Sequence, residues 1–247
     1  MMRFFVRISY RGTQFSGWQS QSTEVSTIQE TIESAFKTLS GKEHPIVGCG
    51  RTDTGVHASK FYFHVDSELD WSEKSYQLNA LCGDDIVIKD IFEVDKDAHA
   101  RFDATKRAYK YHLHTHKNPF LKGLSFYFKE GFNLELCNRA AGLLLEYKDF
   151  NTFCKTRTDV THKKCELYQS YWECNDDGQF TYHIAANRFL RGMVRLIVGM
   201  CLNVGKGSLS IDEVREALEQ RKTLKRAWSV PAHGLYLSDI QYPFIRD

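Results

Sequence analysis

Asp53 is the carboxylate best placed for chemistry. It lies in GCGRTDTGVHA, Gly48 to Ala58, directly after Arg51 and Thr52 and among Gly48, Gly50 and Gly55. The arginine's charge and the threonine's hydroxyl both favour an ionised carboxylate. The glycines allow backbone shapes closed to other residues and let a ligand come close. A carboxylate so placed can serve as a nucleophile, a base or a metal ligand. It can equally be a turn former, because Asp side chains bond their own backbone in glycine-rich loops. The stretch is not a dinucleotide loop, since GxGxxxxG departs from GxGxxG, and no lysine followed by serine or threonine makes it a phosphate-binding loop of the Walker kind. His57 is a candidate base beside a plainer reading as a structural histidine.

Three further groups could support chemistry. Arg188, Arg191 and Arg195 recur at spacings of three and four, which predicts one face of a helix beginning near Phe189. Met193, Val194, Ile197, Val198 and Cys201 give that helix its apolar side. The arginines read either as a solvated face or as an anion or phosphate site, with Arg195 set among apolar neighbours. Tyr109 and Tyr111 alternate on a strand, interleaved with Arg107 and Lys110. Alternate tyrosines are commonly core, yet aromatics beside cations also suit a nucleobase and its phosphates. His112, His114 and His116 alternate on the same strand, with no carboxylate or cysteine near in sequence. An exposed or RNA-facing strand edge fits them better than a zinc site. Basic runs occur in KTRTDVTHKK, from Lys155, and QRKTLKRAW, from Gln220. Their plain reading is solvated surface.

The elements that must position these residues follow from periodicity. MRFFVRISY alternates, with Phe4, Val6, Ile8 and Tyr10 on one face, as a half-buried strand does. RGTQFSGWQSQS reads as a loop. Thr27 and Glu30 predict a capping box for a helix that buries Ile28, Ile32, Ala35, Phe36 and Leu39 and ends near Gly41. A strand through Phe61, Phe63 and Val65, a short helix from about Ser72 to Leu81 and the strand DIVIKDIFEV follow. HARFDATKRA reads as a crossing to a second unit. That unit holds the strand YKYHLHTH and a helix from about Asn133 to Glu146. The strands CELYQSYWEC and QFTYHIAA come next, joined at Asp176 to Gly178. The arginine helix ends at Gly205, Ser210 and Glu213 cap another helix, and GLYLSDIQY is a final strand. The fold class expected is α+β: two similar halves, residues 1–104 and 105–247, with a mixed, mainly antiparallel sheet flanked by helices.

Bulk properties narrow the class. The chain has 247 residues, is 42% hydrophobic and 13% aromatic, and carries a net charge of +2, so it can bury a core and is only weakly basic overall. Seven cysteines, an odd number without CxxC spacing, favour neither a disulfide framework nor a thiolate zinc site. The start MMRFFVRISYRG is too short and charged for a signal peptide, and no apolar run approaches a membrane span. A reduced, cytoplasmic protein is the expectation.

GRTDTGVHA, with YRGTQFSGWQSQ before it, resembles the tRNA pseudouridine synthase A family. The resemblance continues in order through NALCGDDI, HARFDATKRAYKYHL, the FNTF that follows Asp149, ANRFLRGMVRLIVG and PAHGLYL, nearly the whole chain. It implies the pseudouridine synthase fold and isomerisation of uridine to pseudouridine at positions 38, 39 and 40 of the tRNA anticodon stem-loop. It implies that Asp53 is the essential catalytic residue, that Tyr109 contacts the target base, and that Arg195 pairs with the aspartate. Arg51 then contacts RNA or the flipped base, and Arg191 is a candidate substrate-binding residue. The first half would carry the aspartate loop, the second the tyrosine and the arginine helix. No metal or organic cofactor is implied, and a homodimer binding tRNA is. Two departures stand out. LCGDDI, with Cys82 and Gly83, replaces the usual LPxDI, and CKTRTDVTHKKCEL matches the family's arginine-rich stretch poorly, which puts RNA contacts by residues 155–165 in doubt.

Two rival classes share parts of this pattern. A non-catalytic RNA-binding protein would use the basic runs and aromatics with no need of Asp53. A hydrolase built on Asp53 and His57 would need a second acid–base partner nearby and no tRNA.

Overall fold

The computed structural model describes residues 1–21, 25–154, 162–175 and 178–245. They form two compact units: Met1–Thr105 with Tyr236–Asp247, and Lys106–Leu235. The expected boundary near residue 104 put the whole remainder of the chain in one half. Instead Tyr236–Asp247, which hold all but the first residue of the final strand, cluster with the first unit.

In the first unit, β1 (Met2–Tyr10) is the central strand. It runs antiparallel to β3 (His57–Ser67) on one side and to β4 (Ile86–Val94) on the other. The short β2 (Ile46–Gly48), too brief to show as a period in the sequence, pairs antiparallel with β3. The last strand, β9 (Leu235–Gln241), joins β3 in parallel through His57–Tyr236 and Ala58–Leu237. Helix α1 (Ile28–Ser40) starts at the expected Thr27–Glu30 capping box and stops at Gly41, whose φ of 72° suits a residue without Cβ. It buries Ile28, Ile32, Ala35 and Phe36, while Leu39, expected on that face, is 40% exposed. Helix α2 (Ser75–Cys82) is followed by Gly83 at φ 71°, where the LCGDDI departure lies.

β1 is buried on more than its alternating face. Phe5, out of phase with Phe4, Val6 and Ile8, is fully buried. The rings of Tyr242 and Phe244 meet it edge-on, each 5.3 Å away, so the chain's end covers the second face. His64 stacks against Phe5 at 6.1 Å, and its Nδ1 accepts the Ala100 N–H at 3.1 Å. Burial first, and then the nearby Arg3 charge, lower the His64 pKa to about 4. A ring that protonates more readily unfolded than folded withdraws stability as pH falls from 6.5 towards 4. The full loss is roughly 3 kcal/mol. The melting temperature is therefore expected to drop across that window, and less steeply in His64→Gln; parallel pH profiles for the two proteins would contradict this assignment.

In the second unit, β8 (Gln179–Ala186) is central, antiparallel to β5 (Lys106–His114) and to β7 (Leu167–Asn175). The two-residue β6 (Phe126–Tyr127) pairs in parallel with the end of β5. The halves thus share an antiparallel trio of strands, but the centre is the earliest strand in one and the latest in the other. Helices α3 (Leu134–Leu143), α4 (Met193–Gly205) and α5 (Ile211–Glu219) complete the unit. The Asn138 side chain holds α3 to β7 by bonding both the N–H and C=O of Trp172. α3 and α4 approach closely at Gly205, where a Cβ would stand 2.5 Å from the Cys137 sulfur. Among the described residues the fold is α+β, with nine strands in mixed but mainly antiparallel pairing and five α-helices. All seven cysteines are free thiols, and no helix of the described residues is long and apolar enough to cross a membrane.

Candidate active site

Asp53 is half-buried in the loop between β2 and β3, flanked by exposed Arg51 and buried Thr52. Its C=O accepts the Val56 N–H at 3.1 Å, closing a tight turn in which Gly55 has φ 78°. Thr52 is gripped twice from outside the loop. Its C=O accepts the Trp18 N–H at 3.1 Å, and its hydroxyl shares a buried 2.8 Å hydrogen bond with the Tyr10 hydroxyl at the end of β1. Trp18 in turn stacks on Phe61 at 4.1 Å and lies against Gly48, where a Cβ would come within 2.6 Å of the indole.

Gly12 closes the other flank. Its N–H donates to His57 Nδ1 at 3.1 Å, and a Cβ there would lie 2.0 Å from the Val56 carbonyl oxygen. The His57 ring is 1% exposed and stacked on Tyr236 at 4.5 Å. Its Nδ1 is occupied and its faces are covered, so His57 is structural, and the hydrolase reading loses its base. Tyr10, Gly12 and Trp18 brace the aspartate loop together with Gly17, where a Cβ would stand 2.7 Å from the Thr52 carbonyl oxygen, and periodicity does not reveal them. The only sequence signal for them is the clustered glycines and tryptophan of YRGTQFSGW.

The other candidates lie in the second unit. Tyr109 is half-buried on β5, opposite Ile184, with its ring edge-on to Phe189 at 5.2 Å. Tyr111, two residues on, is fully buried, and its hydroxyl donates to the Pro231 C=O at 2.9 Å, so it belongs to the core. Arg195 sits in the first turn of α4. Its Nε donates to the Val230 C=O at 2.6 Å, and its own C=O accepts the Val230 N–H at 3.3 Å. Its charge is felt at His233, whose pKa burial and then Arg195 lower together.

The one-face arrangement of Arg188, Arg191 and Arg195 does not form. α4 begins only at Met193, after Gly192 at φ 71°, a left-handed position that breaks the helical run. Exposed Arg191 and half-buried Arg188 therefore precede the helix. Of the three alternating histidines, His116 is exposed and His112 half-buried, but His114 differs from expectation. His114 is 4% exposed, bonded to Ser125 at 2.9 Å and stacked on Tyr127, so it is no strand edge. Of the basic runs, residues 155–161 lie outside the described residues, while Arg221, Lys222, Lys225 and Arg226 are exposed, as a solvated surface is. No cluster of three or more His, Cys, Asp or Glu fit for a metal occurs among the described residues.

Comparison with known proteins now bears on the braced aspartate. A family model described as tRNA pseudouridine synthase matches residues 140–243. The chain is 42% identical over 248 residues to the tRNA pseudouridine synthase A of Porphyromonas gingivalis, covering 98% of each protein. The chain belongs to the tRNA pseudouridine synthase A family. Other members are similar across the same span: that of Bacteroides fragilis is 40% identical, covering 98% of this chain and 97% of the relative, and that of Staphylococcus saprophyticus 39%, covering 97% and 90%. Membership removes the hydrolase from consideration.

Removing the brace at Tyr10 tests how much the loop depends on it. Tyr10→Phe leaves the buried Thr52 hydroxyl without that partner, which costs about 1–2 kcal/mol. The expected result is a melting temperature several degrees lower and a roughly tenfold fall in kcat, the size of effect that small displacements of reacting groups produce. An unchanged kcat would show that the loop holds Asp53 without Tyr10.

Proposed function

We propose that this synthase, an isomerase of tRNA by family, converts uridine to pseudouridine at positions 38, 39 and 40 of the anticodon stem-loop, with Asp53 as nucleophile. The observation that carries this reading is the near end-to-end match to proteins named tRNA pseudouridine synthase A. The reaction breaks the bond from ribose C1′ to uracil N1, joins C1′ to C5, releases the C5 proton and leaves a proton on N1. Asp53 attacks C1′ or takes the C2′ proton to give a glycal; either act needs the ionised carboxylate. Arg195 is the positively charged residue proposed to act with it. A uridine paired in the stem must first leave its stack, at a cost of a few kcal/mol, which Arg51 and Arg191 offset by holding RNA. Tyr109 stacks on the detached uracil so that it turns without escaping. The protein works in the cytoplasm as a homodimer, without metal or organic cofactor.

Position is tested by mapping the product. A tRNA transcript with uridines throughout is incubated with the protein, and pseudouridines are located by carbodiimide adducts that stop reverse transcription. Stops for positions 38–40 are expected. Stops confined to another arm would overturn the positional assignment while leaving the chemistry intact.

A further inference from the structure

The turn from Ala98 to Asp103 is held at every residue, yet it presents an exposed aromatic ring. Arg3 Nη1 donates to the Ala98 C=O at 3.0 Å, and the Tyr242 hydroxyl donates to the Ala100 C=O. The Ala100 N–H is taken by buried His64. Within the turn, the Asp103 carboxylate accepts the His99 N–H at 2.7 Å, and the Asp103 N–H returns to the His99 C=O at 3.1 Å. His99 Nδ1 accepts the N–H of both Arg101 and Phe102, at 3.1 and 3.3 Å. Phe102, at the tip, is nonetheless 73% exposed. His99 lies beside its ring at 4.3 Å, and the Arg101 guanidinium lies over it at 5.6 Å.

A free loop would turn an apolar ring of this size inward, since burial of a Phe stabilises by about 1.5–3 kcal/mol. This turn instead spends its bonds on keeping the ring and the guanidinium outward and ordered. An ordered ring loses little entropy when a ligand stacks on it. The exposed residues nearest Phe102 in sequence are Asp95, Lys96, Asp97, Arg101 and Thr105, so its sequence neighbours at the surface are charged or polar. A lone ring with an arginine plane suits a nucleobase and its phosphate. The chain after the turn suits a polyanion: from Ala104 to Lys129 it carries six Lys and Arg and no carboxylate.

The turn is remote from Asp53. His57, beside the aspartate loop, and His64, which holds Ala100, are seven residues apart on β3, about 23 Å along a strand. A base stacked on Phe102 is therefore not the target uridine.

We propose that Arg101 and Phe102 form a second docking point for tRNA, where Phe102 stacks on an unpaired nucleobase and Arg101 meets the adjoining phosphate. This rests on tRNA being the substrate, so the test reads binding separately from turnover. The Kd for an unmodified full-length tRNA transcript is measured by fluorescence anisotropy for the full chain, Phe102→Ala, Phe102→Trp and Arg101→Ala, over a range of salt. Phe102→Ala is expected to raise Kd about tenfold at an unchanged salt slope, and Phe102→Trp to restore it. Arg101→Ala is expected to reduce the slope of log Kd against log salt by about one. Wild-type Kd in Phe102→Ala would overturn the proposal. So would unchanged Kd with a shifted sedimentation coefficient, which would mean that a second copy of the chain covers the ring. Failure of the wild type to isomerise while Phe102→Ala still loses affinity would strike the catalytic reading and leave this one standing.

Discussion

Asp53→Asn is expected to lower the single-turnover rate of isomerisation by at least about 10⁴-fold while leaving tRNA affinity within about threefold of wild type. The carboxamide has nearly the carboxylate's shape but cannot attack ribose or take its proton. Backbone and neighbouring bonds through the Thr52 hydroxyl, the Thr52 C=O and the Asp53 C=O to Val56 shape the loop around it and are present whichever side chain stands at position 53. Loss of turnover without loss of binding therefore separates chemistry from folding. Comparable losses of rate and affinity would instead make Asp53 an RNA-binding or structural residue. Residual turnover near wild type would remove it from the chemistry.

Gly12→Ala is expected to do lesser but still large damage by a different route. The new methyl would stand 2.0 Å from the Val56 carbonyl oxygen, the far end of the turn that Asp53 begins. Both groups are backbone, so neither can rotate aside; one segment must move, and the Gly12–His57 bond moves with it. Overpacking of this kind costs about 1–3 kcal/mol or more, which at this chain length lowers the melting temperature by about 5 °C or more. Displacement of Asp53 should also cut kcat by about 100-fold. Gly50→Ala is the control from the same motif. A Cβ there meets nothing within 4 Å, so the melting temperature should hold within about 1 °C. Equal melting temperatures for the two variants would contradict the clamp between Gly12 and the aspartate turn.

How far the sequence foretells this structure differs by level. Capping boxes at Thr27 and Ser210 and strands such as QFTYHIAA are legible because they rest on local chemistry and period. Phe5 is misplaced by alternation because the rings that cover it come from the other end of the chain. The β9–β3 pairing, which gives the first unit its last strand, is likewise invisible to any local window. The start of α4 is misread because LRGMVR has helical spacing, and only the backbone shows Gly192 left-handed. At the candidate site, Asp53 stands out from its turn composition, but its braces do not. Tyr10 reads as one more apolar strand residue until its hydroxyl is seen on Thr52. The exposed Phe102 is similarly hidden, since nothing in HARFDATKR says which of its side chains turns outward.

The most direct measurement is tritium release from tRNA carrying [5-³H]uridine, followed for wild type and Asp53→Asn in the same time course, with pseudouridine counted in the product. Moving the C1′ bond from N1 to C5 must expel the C5 hydrogen, so release reports the chemistry itself. The account predicts one tritium released per pseudouridine formed by wild type and none above background by Asp53→Asn. Binding of the tRNA by wild type with no release would contradict it and return the chain to the class of RNA-binding proteins that do no chemistry.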